Sequence, residues 1–343
     1  MSATVERLTQ IAGLPREAPG WTVDTIPEPS RKPRVAVLIP CFNEEAAIAR
    51  VVADFRAALP DAAVYVYDNN STDGTVAAAR EAGAVVRAEA LQGKGHVVRR
   101  MFADIDADVY VLVDGDDTYD AKAAPGMAAL LLDQRLDMVS GARDTPAHDP
   151  LAHGAYRRGH RLGNAVLSGM VRQVFGAGIS DLLSGYRVFS RRFVKSFPAL
   201  AAGFETETEF TIHALTLNMP VAEVRAAYRG RPAGSCSKLN TIADGSRILR
   251  QILMLIEQER PLPFFGFLTA LLLCAALSLG LPVVIAFLHT GLVERLPTAV
   301  LSASLVLLAF LSLGCGLVLD AICRARKEFR RLAYLAIPPM GVP

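Results

Sequence analysis

The segment Asp114-Gly115-Asp116-Asp117 puts three carboxylates into four residues, directly after the apolar run Val109–Val113. Like charges this close are costly unless a cation neutralises them. Hard oxygen ligands at this spacing suit Mg2+ or Mn2+ carrying a diphosphate, with Asp114 and Asp116 as the ligands. An acidic turn on a solvated face would show the same letters, so the position at a strand end gives the motif its meaning. A second polar cluster, Asp68-Asn69-Asn70-Ser71-Thr72-Asp73-Gly74-Thr75, joins a strand end to a helix start. Ser71 or Thr72 would cap that helix. Capping makes no demand on Asp68, whose carboxylate would point from the strand end toward a base or ribose. Gly93-Lys94-Gly95 opens another helix, where glycines permit close backbone approach and Lys94 adds charge to an end that already favours anions.

Such residues need a frame to hold them. Short apolar runs at Val35–Ile39, Ala63–Tyr67, Ala84–Arg87 and Val109–Val113 alternate with helical stretches near 44–59, 72–82 and 94–104. That alternation predicts an α/β domain with a mostly parallel sheet between helices. The runs are apolar throughout, as strands covered on both faces should be. Ligands of such sheets bind beyond the C-terminal strand ends, which is where the polar clusters fall. Pro40-Cys41-Phe42-Asn43-Glu44-Glu45 follows the first strand, the Asp68 cluster the second and the Asp114 cluster the fourth. Further along, 160–175 and 205–218 read as helices and 185–190 as a strand. Residues 1–34, with five prolines, read as an irregular lead-in without a signal peptide, and the sheet domain as 35–239.

Bulk charge is uninformative: 36 Lys+Arg against 34 Asp+Glu leave +2, and no global field points to nucleic acid. The five cysteines form no CxxC pair, which argues against a zinc site or a disulfide framework. Mean hydropathy is +0.30, and the excess lies near the C-terminal end. Phe264–Val293 and Leu296–Leu319 lack any Asp, Glu, Lys or Arg. Each exceeds the roughly 20 residues that cross a bilayer core, so 264–319 reads as a transmembrane hairpin. Residues 240–260 precede it as a basic amphipathic helix suited to the headgroup layer, with Ile248, Leu249, Ile252, Leu255 and Ile256 on one face. Arg324, Arg326, Lys327, Arg330 and Arg331 follow it in a basic tail, 320–343, which marks that side of an inner membrane as cytoplasmic. Gly314 and Gly316 would allow close helix packing between copies of the chain.

Taken in order, Val37-Leu38-Ile39-Pro40-Cys41-Phe42-Asn43-Glu44-Glu45, the Asp68–Thr75 cluster, Gly93-Lys-Gly and Asp114-Gly-Asp resemble the family-2 inverting glycosyltransferases of GT-A fold. The chain is similar, more narrowly, to the polyprenyl- and dolichyl-phosphate sugar transferases. Asp181-Leu-Leu-Ser-Gly-Tyr-Arg187, and Ser237-Lys238-Leu239 after Arg231, resemble later motifs of that group. The resemblance implies that Pro40, Phe42, Glu44 and Asp68 contact the donor's base and ribose. Lys94, Asp114, Gly115 and Asp116 would lie along the donor, and Asp114 and Asp116 would hold the metal. Arg143, Arg231 and Lys238 would grip phosphates, with Asp181, Arg187 and Asp116 at the reacting centre. Thr118 stands where mannosyltransferases of the group carry Gln, and His160, among Arg157, Arg158 and Arg161, where Ser is common. These departures favour a UDP-sugar over GDP-mannose.

A lipid phosphate is already anionic and attacks an anomeric carbon without losing a proton, so a general base is optional. The reaction needs a metal beside the departing diphosphate and cations that hold two mutually repelling anions. A hydroxyl acceptor would instead need a base, for which Asp181 or Glu209 would serve. A third reading is a membrane scaffold that keeps the fold without the chemistry. Arg187 as a buried ion-pair partner, and Glu205 and Glu207 as acids favouring a helix N-terminus, remain structural alternatives.

Overall fold

The computed structural model describes residues 32–144, 181–203, 205–230 and 261–338. The strands are β1 (Val35–Cys41), β2 (Ala63–Asp68), β3 (Val85–Ala88), β4 (Val109–Leu112), β5 (Met138–Asp144), β6 (Arg187–Ser190) and β7 (Val221–Ala227). The helices are α1 (Glu45–Ala58), α2 (Thr75–Glu81), α3 (Lys94–Asp104), α4 (Ala123–Asp133), α5 (Arg191–Ser196), α6 (Thr206–Thr216), α7 (Pro261–Thr290) and α8 (Leu296–Leu335). The strands form one seven-stranded sheet in the order β3-β2-β1-β4-β6-β5-β7. It is mostly parallel, as expected, and β6 alone runs against both its neighbours, β4 and β5.

Side chains alternate across a strand, so one run feeds two cores. Val37, Ile39 and Val111 pack under α1 and α4 with Ile48, Val52, Phe55, Met127 and Leu131. Leu38, Tyr110 and Leu112 point the other way, toward Val98, Met101 and Phe102 of α3 and Phe193 and Phe210. Both faces are covered, which is why no polar alternation marks these strands.

β5, β7 and α4 went unread in the sequence, for identifiable reasons. β5 replaces its apolar positions with Ser140, Gly141 and Arg143 toward the C-terminal end. β7 is an edge strand carrying Glu223 and Arg225, and α4 has Pro125-Gly126 in its first turn. The expected helices at 160–175 and 240–260, and nearly all of the 1–34 lead-in, lie outside the described residues.

α7 and α8 pack against each other. Both are long and apolar enough to cross a membrane, an 18-residue stretch in each reaching mean hydropathies of 2.6 and 2.4. Phe267, Leu288, Leu308 and Phe310 stand exposed along them. Pro282 sits inside α7 without ending it. Gly316 lets Phe265 approach: a Cβ there would lie 2.8 Å from the Cβ of Phe265. Gly316 therefore serves packing within the hairpin, while Gly314 has open space beside it. One expectation changes. The basic segment after the second span is no separate tail, because α8 continues unbroken to Leu335 and its last turns lie against α5.

Candidate active site

Parallel pairing fixes where the motifs meet. Cys41 pairs with Asp68 and Leu38 with Leu112, so the loops after β1, β2 and β4 leave the sheet along one edge. β5 and β7 end on that edge at Asp144 and Ala227, and β6, being reversed, begins there at Arg187. Asn43, Asn70 and Asp117 adopt φ of 52°, 67° and 56° in three of these loops. Backbone strain of this kind is held where the surroundings over-determine it, and it gathers at functional loops.

The β1 and β2 loops are stitched together. Asn43 N–H donates to Ser71 Oγ at 2.8 Å, Thr72 N–H to Asn43 Oδ1 at 2.8 Å, and Glu44 N–H to Thr75 Oγ1 at 2.8 Å. Asp68 is buried and accepts from Ser71 N–H at 3.1 Å. Neither Ser71 nor Thr72 caps α2. Both are drawn to the neighbouring loop, and Asp73 Oδ1 accepts from Thr75 N–H where the helix begins. Pro40 and Phe42 line the same rim, half-buried.

At the β4 end, Thr118 fixes Asp116 by donating from its hydroxyl (2.5 Å) and its N–H (3.2 Å) to Oδ1. Lys94 Nζ reaches Asp114 Oδ1 at 2.5 Å and also donates to Glu207 Oε1. Burial alone would strip the charge from Lys94, but Asp114 and Glu207 outweigh it and hold its pKa above the ordinary lysine value. Lys94 was expected along the donor; here its ammonium ties two carboxylates together. Gly115 is a packing requirement, since a Cβ would fall 2.5 Å from Cys41 Sγ. Gly185 is another, its Cβ position lying 2.1 Å from Asp114 Oδ2. After burial, the field of Asp116 is the main influence raising the Tyr228 phenol, and Asp114 adds to it. Two carboxylates held in place by Lys94 and Thr118 in one loop have the hard oxygen chemistry that suits a divalent ion.

Across the sheet, Arg143 grips Asp181 in a two-pronged ion pair, Nε to Oδ2 and Nη2 to Oδ1, both 2.7 Å. Burial works against the charge on Asp181, but the guanidinium prevails and holds the carboxyl below its usual range. Arg143 also lies 5.7 Å from the Tyr228 ring centre. Arg187 departs from expectation. It is wholly buried, and its guanidinium donates to the carbonyls of Leu182 (2.7 Å) and Ser184 (3.1 Å) and to Thr211 Oγ1 (2.9 Å). Burial pulls its pKa down to about 10. Arg187 thus braces the 181–185 loop from beneath, enclosed on every side. Glu209 accepts from the N–H groups of Leu200 (3.0 Å) and Ala201 (2.9 Å), bracing another loop, and burial raises its pKa.

Arg231, Lys238 and the His160 cluster lie outside the described residues. Glu207, Gly185, Tyr119 and Tyr228 carried no sequence signal as site residues. Glu207 is buried among helical acids, and Tyr119 reaches the site only because its hydroxyl accepts from Gly185 N–H at 3.0 Å.

A family model described as glycosyl transferase family 2 matches residues 36–197. Glycosyltransferase AglJ of Haloferax volcanii is 31% identical over 298 residues, covering 86% of this chain and 95% of that protein. A dolichyl-phosphate hexose transferase of the same organism is 30% identical over 226 residues, covering 66% of this chain and 95% of its own. Among solved structures, glucosyl-3-phosphoglycerate synthase from Mycobacterium tuberculosis, in complex with Mn2+ and UDP-glucose, superposes with a TM-score of 0.54 at 23% identity. That match covers 69% of this chain and 84% of the other and bears on the fold, which is GT-A-like.

Proposed function

The chain belongs to glycosyl transferase family 2, and from that premise we propose that it moves a hexose from a nucleoside-diphosphate sugar, with inversion, onto a polyprenyl phosphate. The observation that carries the acceptor is the state of the two carboxylates able to act as a base. Asp181 is locked to Arg143 and kept below the usual carboxylate range, and Glu209 is spent on two backbone N–H groups. Burial raises the Glu209 pKa, but both its oxygens already accept backbone N–H groups that a hydroxyl acceptor would have to displace, whereas a phosphate needs no base. The resemblance to a dolichyl-phosphate hexose transferase and the two bilayer-length helices support the same acceptor.

Asp114 and Asp116 would hold a divalent ion, Mg2+ or Mn2+, whose charge stabilises the departing nucleoside diphosphate. Lys94 keeps the Asp114 carboxylate oriented, and Thr118 does so for Asp116. Asp68 and Glu44, on the stitched loops, would contact the base and ribose of the donor. Arg143, with Arg231 and Lys238, would offset repulsion between donor and acceptor phosphates. A UDP-sugar is the favoured donor. The hairpin would anchor the enzyme in an inner membrane, and the basic end of α8 supports a cytoplasmic sheet domain.

The test incubates purified protein in lipid nanodiscs with undecaprenyl phosphate, Mg2+ or Mn2+, and labelled UDP-glucose, UDP-N-acetylglucosamine, UDP-galactose or GDP-mannose. One donor should yield organic-extractable label. Label that moves only to water or to a water-soluble glycan refutes the proposal.

A further inference from the structure

The last turns of α8 return to the base of the sheet domain and are gripped there. Tyr334 OH donates to Asp137 Oδ2 at 2.7 Å, and the other oxygen of Asp137 accepts from Ser190 Oγ at 2.6 Å. Arg192 stacks 4.8 Å from the Tyr334 ring centre, and its Nε donates to the Ile337 carbonyl at 2.7 Å. The Tyr334 ring packs on the core that contains Phe193 and Phe210. Asp137 immediately precedes β5 and Ser190 ends β6, the strands whose other ends carry Arg143 and the 181–185 loop.

Two lengths then agree. From Asp137 to Arg143, β5 climbs six residues, about 20 Å at roughly 3.3 Å each. From Tyr334 back to Asp320, the first charge after the apolar span, α8 climbs fourteen residues, about 21 Å at 1.5 Å each. The charge of Arg330, one turn before Tyr334, is felt at both Glu209 and His213 of α6. α6 itself runs from Glu207 at the rim down toward Pro220, whose carbonyl accepts from Asp137 N–H at 2.8 Å.

We infer that Tyr334, Arg192 and Asp137 form a clasp that sets the rim of the site at the height of the bilayer surface, making them positioning residues for the membrane-held acceptor. The inference rests on the lipid-phosphate reading above. Without the clasp the hairpin still anchors the chain, but the site is no longer held at a fixed level over the lipid phosphate.

Full-length wild type, Tyr334→Phe, Arg192→Ala and a chain with seven alanines inserted after Asp320 would be compared in nanodiscs. The insertion preserves the helix face and lifts the site by about 10 Å. Site height is read by energy transfer from a dye on Leu91→Cys, with Cys236, Cys274 and Cys315 changed to Ala, to a dye on lipid headgroups. The clasp variants and the insertion should lower that transfer. They should also lower kcat/KM for undecaprenyl phosphate by about 10-fold to 100-fold, the usual cost of misplacing a reactant. Calorimetric binding of the nucleotide should stay within twofold of wild type. Unchanged height with unchanged lipid transfer, or an equal loss of nucleotide binding, overturns the clasp. Should wild type label no lipid phosphate, the acceptor reading falls, while the dye distances still decide whether the clasp sets the height.

Discussion

Gly185 and Asp114 show how little freedom the rim allows a single atom. The carboxylate of Asp114 lies against the bare Cα of Gly185 on one side and the Lys94 ammonium on the other. A methyl at 185 would have to displace the carboxylate, because the added Cβ falls inside any real contact distance. Gly185→Ala should therefore weaken metal-dependent UDP or GDP binding by about tenfold or more, the loss of one charge-assisted contact of 1.5 kcal/mol or so. Calorimetry in Mn2+ measures this, and thermal unfolding should shift little. Unaltered binding would mean that Asp114 is not held for a ligand.

Among elements, β6 is the one whose direction creates the site. Being reversed, it delivers its starting residues to the edge where its neighbours end, and Arg187 secures that start by filling two carbonyls. The guanidinium is enclosed beneath the loop, so its work is structural. Arg187→Met would leave the carbonyls of Leu182 and Ser184 buried without a donor, at about 1–3 kcal/mol each. Urea unfolding should register that loss. A collapse of activity with stability intact would instead return Arg187 to the reacting centre. The aromatic packing that seats α5 and α6 is similarly local: Phe189 lies 4.5 Å from Phe193 and 4.8 Å from Phe210, pairs worth about 0.5–1.5 kcal/mol each beyond their burial.

For the molecule as a whole, acid sensitivity follows from groups buried in one charge state. Burial, with a smaller contribution from Arg330, pushes the His213 imidazole from 6.5 down to about 3. The unfolded chain binds that proton below pH 6.5 and the folded chain does not, so stability falls as pH drops from about 6.5 toward about 3. The Arg143–Asp181 pair acts lower. Its contribution is present above the ordinary carboxylate pKa, about 3.9, and is lost as pH falls through the depressed folded value. Glu207 and Glu209, raised by burial, act in the opposite sense above about pH 4.5. The imidazole's part is therefore read as a difference: unfolding free energy across pH 4–7 should climb more steeply in wild type than in a variant lacking it. His213→Phe, which keeps a ring beside Phe193 and Phe197, should flatten that slope. An unchanged slope would assign the acid sensitivity to another group.

The local pattern of residues settled much in advance. Apolar runs long enough for strands, each followed by polar residues, dictate a parallel sheet with its chemistry on one edge, because strand pairing carries every strand end to the same side. Charge-free stretches of bilayer length dictate the hairpin, because length and hydropathy are properties of the chain alone. The partners of charged side chains are another matter. Lys94 with Glu207, Arg143 with Asp181 and Tyr334 with Asp137 are separated by 113, 38 and 197 positions. No local spacing encodes such pairs; they exist only after the sheet and helices bring the residues together. For the same reason Arg187 reads in sequence as a residue of the reacting centre and becomes a brace in the fold. Its surroundings, set by β6 and α6 closing over it, decide what a guanidinium there can touch.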